Sequence, residues 1–527
     1  MTGRLGREGE AGLTGPERAG DGAQGLPGHA LGRAGLVAIV FSVAATFVVA
    51  VSGASVMEPA LPGRGWQPPW AFDLHISAYL AVGLTAAALA AGAVGLVLVL
   101  RAMRGGWHMP ARALLLAGII VAAVLTLVPP FGSSDQLSYA AYGRMVATGH
   151  NPYLTTPQDL ARLGDPVARA VQDWFGQVSV YGPLASGVQG LASVIGGTSV
   201  RLTVFVLGVV NLIAFGGTGV LLYRMTSGQP DRQPRAMLLW TANPLLLQVL
   251  IAGAHVDVQM IACCVAGVAV VYRRVTPGRA AAAGVLIGLG FAVKVTAGLA
   301  GLGIAIALWR QLGGRQLGGR RLAGVLGALA AGFAVVAAAA LATGGTAMIR
   351  ATSTASDMVS IGSPWRGIRS ALKPAVGGSP AGDIVKYGAV VLAVVLAVLL
   401  IRGLPRVTGG PVLAVMPLAL ALGWLFAWPY VLPWYDALGW ALLALVPASD
   451  VDWLLLARTT ALGFAYLPAR ETHVTLPHGL HWVQPVFRNG LSPVVLAVTA
   501  IWLAVLMWRA YRGAPRDQDP DPVSCLG

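Results

Sequence analysis

Charge is scarce in this chain. Of its 527 residues, 11% are Asp, Glu, Lys or Arg, where a soluble domain carries about 25%, and that shortage excludes a soluble globular enzyme. With 56% hydrophobic residues, disorder is excluded over most of the length too. Cysteine is nearly absent. Cys263 and Cys264 are adjacent inside an apolar run and Cys525 lies near the C-terminus, so there is no disulfide framework and no thiolate metal spacing. A Gly-rich phosphate loop of the Walker type is also missing. Acidic residues are the scarcer sign, 21 against 36 basic, for a net charge of +15. In a soluble protein that imbalance suggests nucleic acid. In an apolar chain it reports arginine-rich cytoplasmic loops.

What the sequence has in quantity is long apolar runs, and runs of about 17–25 residues mark spanning helices. They fall near 35–56, 75–100, 113–131, 201–223, 236–254, 257–272, 322–343, 384–401, 411–428, 453–468 and 491–508. A shorter run, 437–448, is expected to span as well because the charged turn Asp450–Asp452 follows it. The run 280–309 has arginines at both ends, so a hairpin of two short helices turning near Lys294 keeps both clusters on one side. A lysine at the bilayer centre would cost about 2.5–3.5 kcal/mol. The stretch 181–197, rich in Gly and Pro, reads as re-entrant or interfacial. The expected architecture is all-α: a polytopic transmembrane bundle of about 11–14 spanning helices, with interfacial helices in the external loops.

The arginines orient this bundle. Of the 36 Lys and Arg residues, 22 fall in the expected cytoplasmic loops and tails and 13 in the longer external loops. Arg458 is left over, expected near the cytoplasmic end of its helix where it would snorkel. Residues 1–33 and 511–527 read as disordered cytoplasmic tails, and 34–510 as one membrane domain with a large external loop at 132–200. The expected location is the plasma membrane, with both termini cytoplasmic and the lipid bilayer, not nucleic acid, as partner.

Polar chemistry collects on the outer side. Loop 132–200 holds Asp135, Tyr139, Arg144, Asn151, Tyr153, Asp159, Asp165, Asp173 and Tyr181, and the turn near 255 holds His255 and Asp257. Loop 344–383 holds Arg350, Trp365 and Arg366; loop 429–436 holds Trp434, Tyr435 and Asp436; loop 469–490 holds His473, His478 and His481. Asp135 follows the end of a spanning helix by four residues, which puts it at the membrane–water interface. Ser134 or Asp135 is placed to cap a helix over about 136–148. The same carboxylate is also placed to act as a general base on a substrate held there by a lipid tail.

The segment SSDQLSYAAYGRMVATGHNPY (133–153) resembles the first-loop signature of the actinobacterial polyprenol-phosphate-mannose-dependent α-1,6-mannopyranosyltransferases, integral-membrane enzymes of the GT-C class. VSVYGPLA (178–185), TANPLLLQVLIAGAHVDVQM (241–260), GFAVKVTAG (290–298) and WPYVLPWYDAL (428–438) match in order, so the resemblance covers roughly 110–440. Two positions after Asp135 depart from the family's D-V-Y-S-Y form, and His255-Val256-Asp257 stands where His-Asn-Asp is usual. The resemblance implies a GT-C-like catalytic domain over 34–510. It implies a polyprenyl-phosphate-linked mannose donor, a mannan or glycolipid acceptor, and α-1,6 transfer with inversion on the external face. A glucosyl or arabinofuranosyl transferase of the same fold, and a membrane transporter, are the competing readings.

An inverting transfer to a hydroxyl needs one carboxylate base, here Asp135, and cations for the leaving phosphate. Lys294 is the first candidate, with Arg144, Arg350 and Arg366 beside it and Arg201 as a further one. His255, Asp257, Tyr139, Asn151, Tyr153, Tyr181, Trp434, Tyr435 and Asp436 are candidates for acceptor or sugar contacts. No metal is indicated and no cofactor is required: Asp450-Val451-Asp452 has a D-x-D spacing but falls on the cytoplasmic side, and Asp517, Asp519 and Asp521 lie in a tail.

Overall fold

The computed structural model describes residues 25–313, 319–469 and 475–513. His473, Cys525, the three tail aspartates and most of both expected tails lie outside the described residues. Within them the chain is helical, with one isolated bridge between Ser55 and Glu58. Helices follow from the apolar runs, because a backbone in lipid must satisfy its own hydrogen bonds.

The helix α1 (Gly25–Val51) begins inside the stretch read as tail and pairs with α2 (Ala78–Arg104). Glycines make that pairing close: a Cβ on Gly35 would lie 2.9 Å from the Gly95 carbonyl oxygen. Small residues let helix backbones approach in membranes. The Ser42 hydroxyl adds a 2.6 Å bond to the Ala88 carbonyl. Next come α3 (Ala111–Thr126) and the long loop, which folds into α4 (Asp135–Ala147), α5 (Pro157–Arg162), α6 (Pro166–Arg169) and α7 (Pro183–Gly196). A capping box between Thr156 and Asp159 starts α5, and the Asp165 carboxylate accepts from the amides of Val167 and Ala168 to start α6. The 181–197 stretch is thus α7, packed against α4 where Gly143 meets the Gln189 backbone.

The chain then forms α8 (Val200–Met225), α9 (Arg232–Leu239) and α10 (Pro244–Leu246), which Asn243 caps and which runs into a π-helical turn over Leu247–Ala252. Helices α11 (Asp257–Tyr272), α12 (Pro277–Val293) and α13 (Ala297–Gly313) follow. Lys294 is extended (φ −153°) between α12 and α13, so the run 280–309 is the two short helices expected. Then α14 (Gly319–Ser356) kinks at Gly345, where φ is +64°. Beyond it lie α15 (Pro364–Val376), α16 (Gly378–Thr408), α17 (Val412–Ala427), α18 (Asp436–Leu443), α19 (Val451–Ala465) and α20 (Ser492–Arg512). The expected loop 344–383 is therefore mostly helix, because its polar residues sit on amphipathic turns that continue the spans.

Seven helical stretches among the described residues are long and apolar enough to cross a membrane, and five shorter apolar helices accompany them. The chain is a multi-pass membrane protein. The run 437–448 is a correction in form: only Asp436–Leu443 is helical, about 12 Å at 1.5 Å per residue. Its two ends lead to two different polar clusters. Asp436 adjoins Tyr435, whose ring lies under Lys294, and beyond Val446 the chain reaches Asp452, which bonds Arg235 (2.5 Å) and Arg104 (3.3 Å). The Arg235 guanidinium also donates to the carbonyls of Leu443 and Val446, so irregular backbone is tolerated there by burial in protein. Arg458 is a second correction. It does not snorkel but lies buried mid-helix, its Nε 2.9 Å from the Asp436 carboxylate.

Candidate active site

Asp135 opens α4, yet neither it nor Ser134 serves as the expected cap. Ser134 makes no side-chain cap bond; its hydroxyl donates instead to the Asp173 carboxylate. The Asp135 amide donates to Ser133 Oγ at 3.1 Å, and its carboxylate accepts from the Trp174 side chain. Two neighbouring residues are held in the left-handed region that favours glycine, Trp174 (φ +63°) and Ala254 (φ +53°). Such conformations cost about 1–3 kcal/mol each and concentrate at functional sites.

Asp135 stands where two cavities meet. One, of about 400 Å³, is lined by Tyr139, Tyr181, Lys294, Trp424, Trp428 and Tyr435. The other, of about 360 Å³, is lined by Ser133, Asp173, Tyr466 and Arg488. Asp135, Trp174, Tyr430 and Leu432 belong to both. Either volume suits a small ligand or sugar unit.

The first wall and its supports come from separate segments of the chain. Gly182 fixes the loop against the end of α12: its amide donates to Val293 (3.0 Å), and a Cβ there would collide with the Ala292 carbonyl. That contact brings Tyr181 to Tyr139, with hydroxyls 3.3 Å apart and rings edge to face. The break between α12 and α13 delivers Lys294, whose ammonium lies 2.7 Å from Asp257 Oδ1 and 3.8 Å from the centre of the Tyr435 ring. His255 stacks on Trp434 with ring centres 3.5 Å apart. Its Nδ1 is 3.6 Å from the Asp135 carboxylate and 3.5 Å from the Tyr139 hydroxyl.

Electrostatics separates these groups. Burial, then the nearby Asp173 and Asp257 carboxylates, push Asp135 up to about 7, against the Trp174 hydrogen bond and Lys294. Burial and then Lys294 hold His255 well below its usual range, so it is neutral and its contact with Asp135 is polar rather than ionic. Asp135 is therefore poised near neutrality, where a general base works best.

The structure brings together Asp135, Tyr139, Tyr181, His255, Asp257, Lys294, Trp434 and Tyr435. Other expected site residues go elsewhere. Arg144 is spent on Asp165 at 2.7 Å, and Asn151 turns back onto the Tyr153 amide. Tyr153 bonds Ser186 of α7. Asp436 is buried with Arg458 and Thr459. Arg350 and Arg366 lie exposed outside both cavities, and Arg201 donates to the Leu61 and Pro69 carbonyls. In each case a nearby polar partner claims the side chain, or its helix turns it to the surface. The D-x-D pair is likewise used structurally, with Asp450 and Asp452 facing Arg104. Asp173, one of the polar residues of the long loop, reaches the site without a role foreseen for it, and Trp174, Arg488 and Tyr466 join it unforeseen; the signal for Trp174 was its place beside Asp173 in that loop. No group of three His, Cys, Asp or Glu side chains among the described residues is arranged to hold a metal ion.

Comparison with known proteins places the chain in a family. Residues 31–311, which carry Asp135, Tyr139, Tyr181, His255, Asp257 and Lys294, match the family model described as alpha-(1->6)-mannopyranosyltransferase, N-terminal domain. Alpha-(1->6)-mannopyranosyltransferase A of Mycobacterium tuberculosis is 31% identical over 189 residues, 34% of each chain. The protein of the same name from Corynebacterium glutamicum is 25% identical over 176 residues, 33% of this chain and 35% of its own. The matches thus span about a third of the length of these relatives. With more than half of its length matched by the family model, the chain belongs to the alpha-(1->6)-mannopyranosyltransferase family.

Proposed function

We propose that the protein transfers mannose from a polyprenyl-phosphate donor to a mannan or glycolipid acceptor on the external side of the plasma membrane, forming an α-1,6 link with inversion. The observation that carries this reading is a carboxylate poised near neutrality at the junction of two cavities, one of which holds a cation in an aromatic, apolar wall. The donor's phosphate sits at Lys294. With one hydrogen bond given to Asp257, its ammonium keeps two N–H donors for phosphate oxygens, while Trp424, Trp428 and Leu299 face the prenyl chain. The acceptor hydroxyl approaches from the side of Ser133, Asp173 and Arg488.

Asp135 takes the proton as the acceptor oxygen bonds to the anomeric carbon and the bond to the phosphate oxygen breaks. Phosphate leaves without needing an acid, unlike the alcohol of a glycoside, so one carboxylate suffices. Lys294 stabilises the charge that develops on the leaving group. Tyr139 places the sugar beside Asp135, and neutral His255, stacked on Trp434 behind it, holds the Tyr139 hydroxyl. Purified protein in lipid vesicles, given radiolabelled mannosyl phosphopolyprenol and a mannan acceptor, tests this. Transfer with an α-1,6 product is expected. Transfer of glucose or arabinose in its place, or transport of sugar without a product, would support the competing readings.

A further inference from the structure

Helix α15 (Pro364–Val376) takes no part in the catalytic chemistry, and none of its residues is buried. Its sequence, PWRGIRSALKPAV, has Trp365, Ile368, Leu372 and Val376 on one face and Arg366, Arg369 and Lys373 on another. The helix contains no acid. Among the described residues none of its three cations forms an ion pair. The neighbouring acids are Asp357, bound by Lys386 at 2.6 Å, and Asp383. Residues 357–386 carry a net charge of +2, four basic against two acidic.

Its height relative to a bilayer follows from α16. That helix has 31 residues, about 46 Å of length at 1.5 Å per residue, against a hydrocarbon core of about 30 Å. The excess lies at its two charged ends: the first turns carry Asp383 and Lys386 and the last turns Arg402 and Arg406, whereas 388–401 has no charge. Helix α15 runs antiparallel along the first turns. A Cβ on Gly388 would touch the Trp365 ring at 3.3 Å, one on Gly382 the Arg369 guanidinium at 3.7 Å, and one on Gly378 the Lys373 side chain at 3.9 Å. Trp365 therefore lies at the edge of the hydrocarbon, as interfacial aromatics do, and the three cations rise through the headgroup layer. The helix is also tied to the catalytic centre. Trp365 Nε1 donates to the Ala427 carbonyl at 2.7 Å. The residues just ahead of it, Ser360, Ile361 and Gly362, line the cavity that holds Asp135.

We propose that the basic face of α15 is a binding site for anionic phospholipid headgroups, placed at the mouth of the Asp135 cavity. Exposed basic residues beside a spanning helix attract anionic lipid, and the seating of Trp365, Arg369 and Lys373 along the first turns of α16 fixes the basic face at headgroup depth. Used in this way the site would also gather a lipid-phosphate donor, a consequence that rests on the function proposed above; the headgroup contact itself does not.

The test places a fluorescent thiol label at Ser370→Cys in a chain carrying C263A, C264A and C525A, reconstituted in vesicles. Bromine-labelled phosphatidylglycerol is expected to quench it several-fold more than bromine-labelled phosphatidylcholine at equal mole fraction. Each of R366Q, R369Q and K373Q should reduce that preference and the triple glutamine variant should abolish it, while R366K with R369K retains it. Equal quenching by the two lipids, an unchanged preference in the triple glutamine variant, or its loss in the lysine variant overturns the proposal. A protein that shows the lipid preference but transfers no mannose would refute the proposed function and leave this site standing.

Discussion

At the scale of single residues the account rests on how burial and neighbours set one carboxylate. A base must be ionised, so with Asp135 pushed up to about 7 kcat/KM should rise through pH 7 and be lost below it. Asp173 raises that value and Lys294 lowers it. D173N should therefore shift the rising limb to lower pH and K294Q to higher pH, each read from a pH–rate profile. D135N should cost about 10²–10⁴-fold in kcat without lowering the melting temperature, since burial already disfavours the ionised carboxylate. The Lys294–Asp257 pair is largely buried, with side chains 14% and 3% exposed. Removing one member of such a pair leaves an uncompensated charge, at a cost of about 3–5 kcal/mol. K294Q should accordingly lower thermal stability more than K294Q combined with D257N. Lys294 was legible in the sequence because a lysine inside an apolar run demands a polar exit. The roles of Asp173 and Arg488 were not, because each reaches the Asp135 cavity only through tertiary folding.

At the scale of elements, the site depends on where helices end. Helix α12 stops at Val293, α11 starts at Asp257, and Gly182 locks the long loop against the α12 terminus. Val at position 182 would drive a side chain into the Ala292 carbonyl, separating Tyr181 from Lys294. G182V should reduce kcat while the lipid contact of α15 survives, measured by the quenching described above. Apolar periodicity marks helices but not what polar turns between them do. That is why 344–383 reads as loop from sequence yet continues α14 and forms α15. The same limit explains Arg144, Asn151 and Tyr153: they share the long loop with Asp135, but Asp165, the loop's own backbone and Ser186 claim them first.

At the scale of the whole molecule, scarce charge is sorted into two ends. One end holds Asp135, Lys294 and the two cavities; the other holds Arg104, Arg235 and Asp452. Asp436 and Arg458 form a buried pair between α18 and α19. R458M should destabilise by about 3–5 kcal/mol, and R458M with D436L should recover most of that in a melting experiment. Thiol labelling of intact cells by an impermeant reagent should reach cysteines placed at 163 and 370 but not at 105 or 227; the reverse pattern would invert the proposed orientation. The general bundle was legible from hydropathy and arginine placement, whereas the meeting of two cavities at one carboxylate was not, since it needs contacts between segments hundreds of residues apart. The most direct test of the central claim is the pH-dependent rate of mannosyl transfer by the purified, reconstituted protein beside its D135N variant. The account predicts transfer by the wild type on a limb centred near pH 7 and almost none by D135N; full-rate transfer by D135N would contradict it.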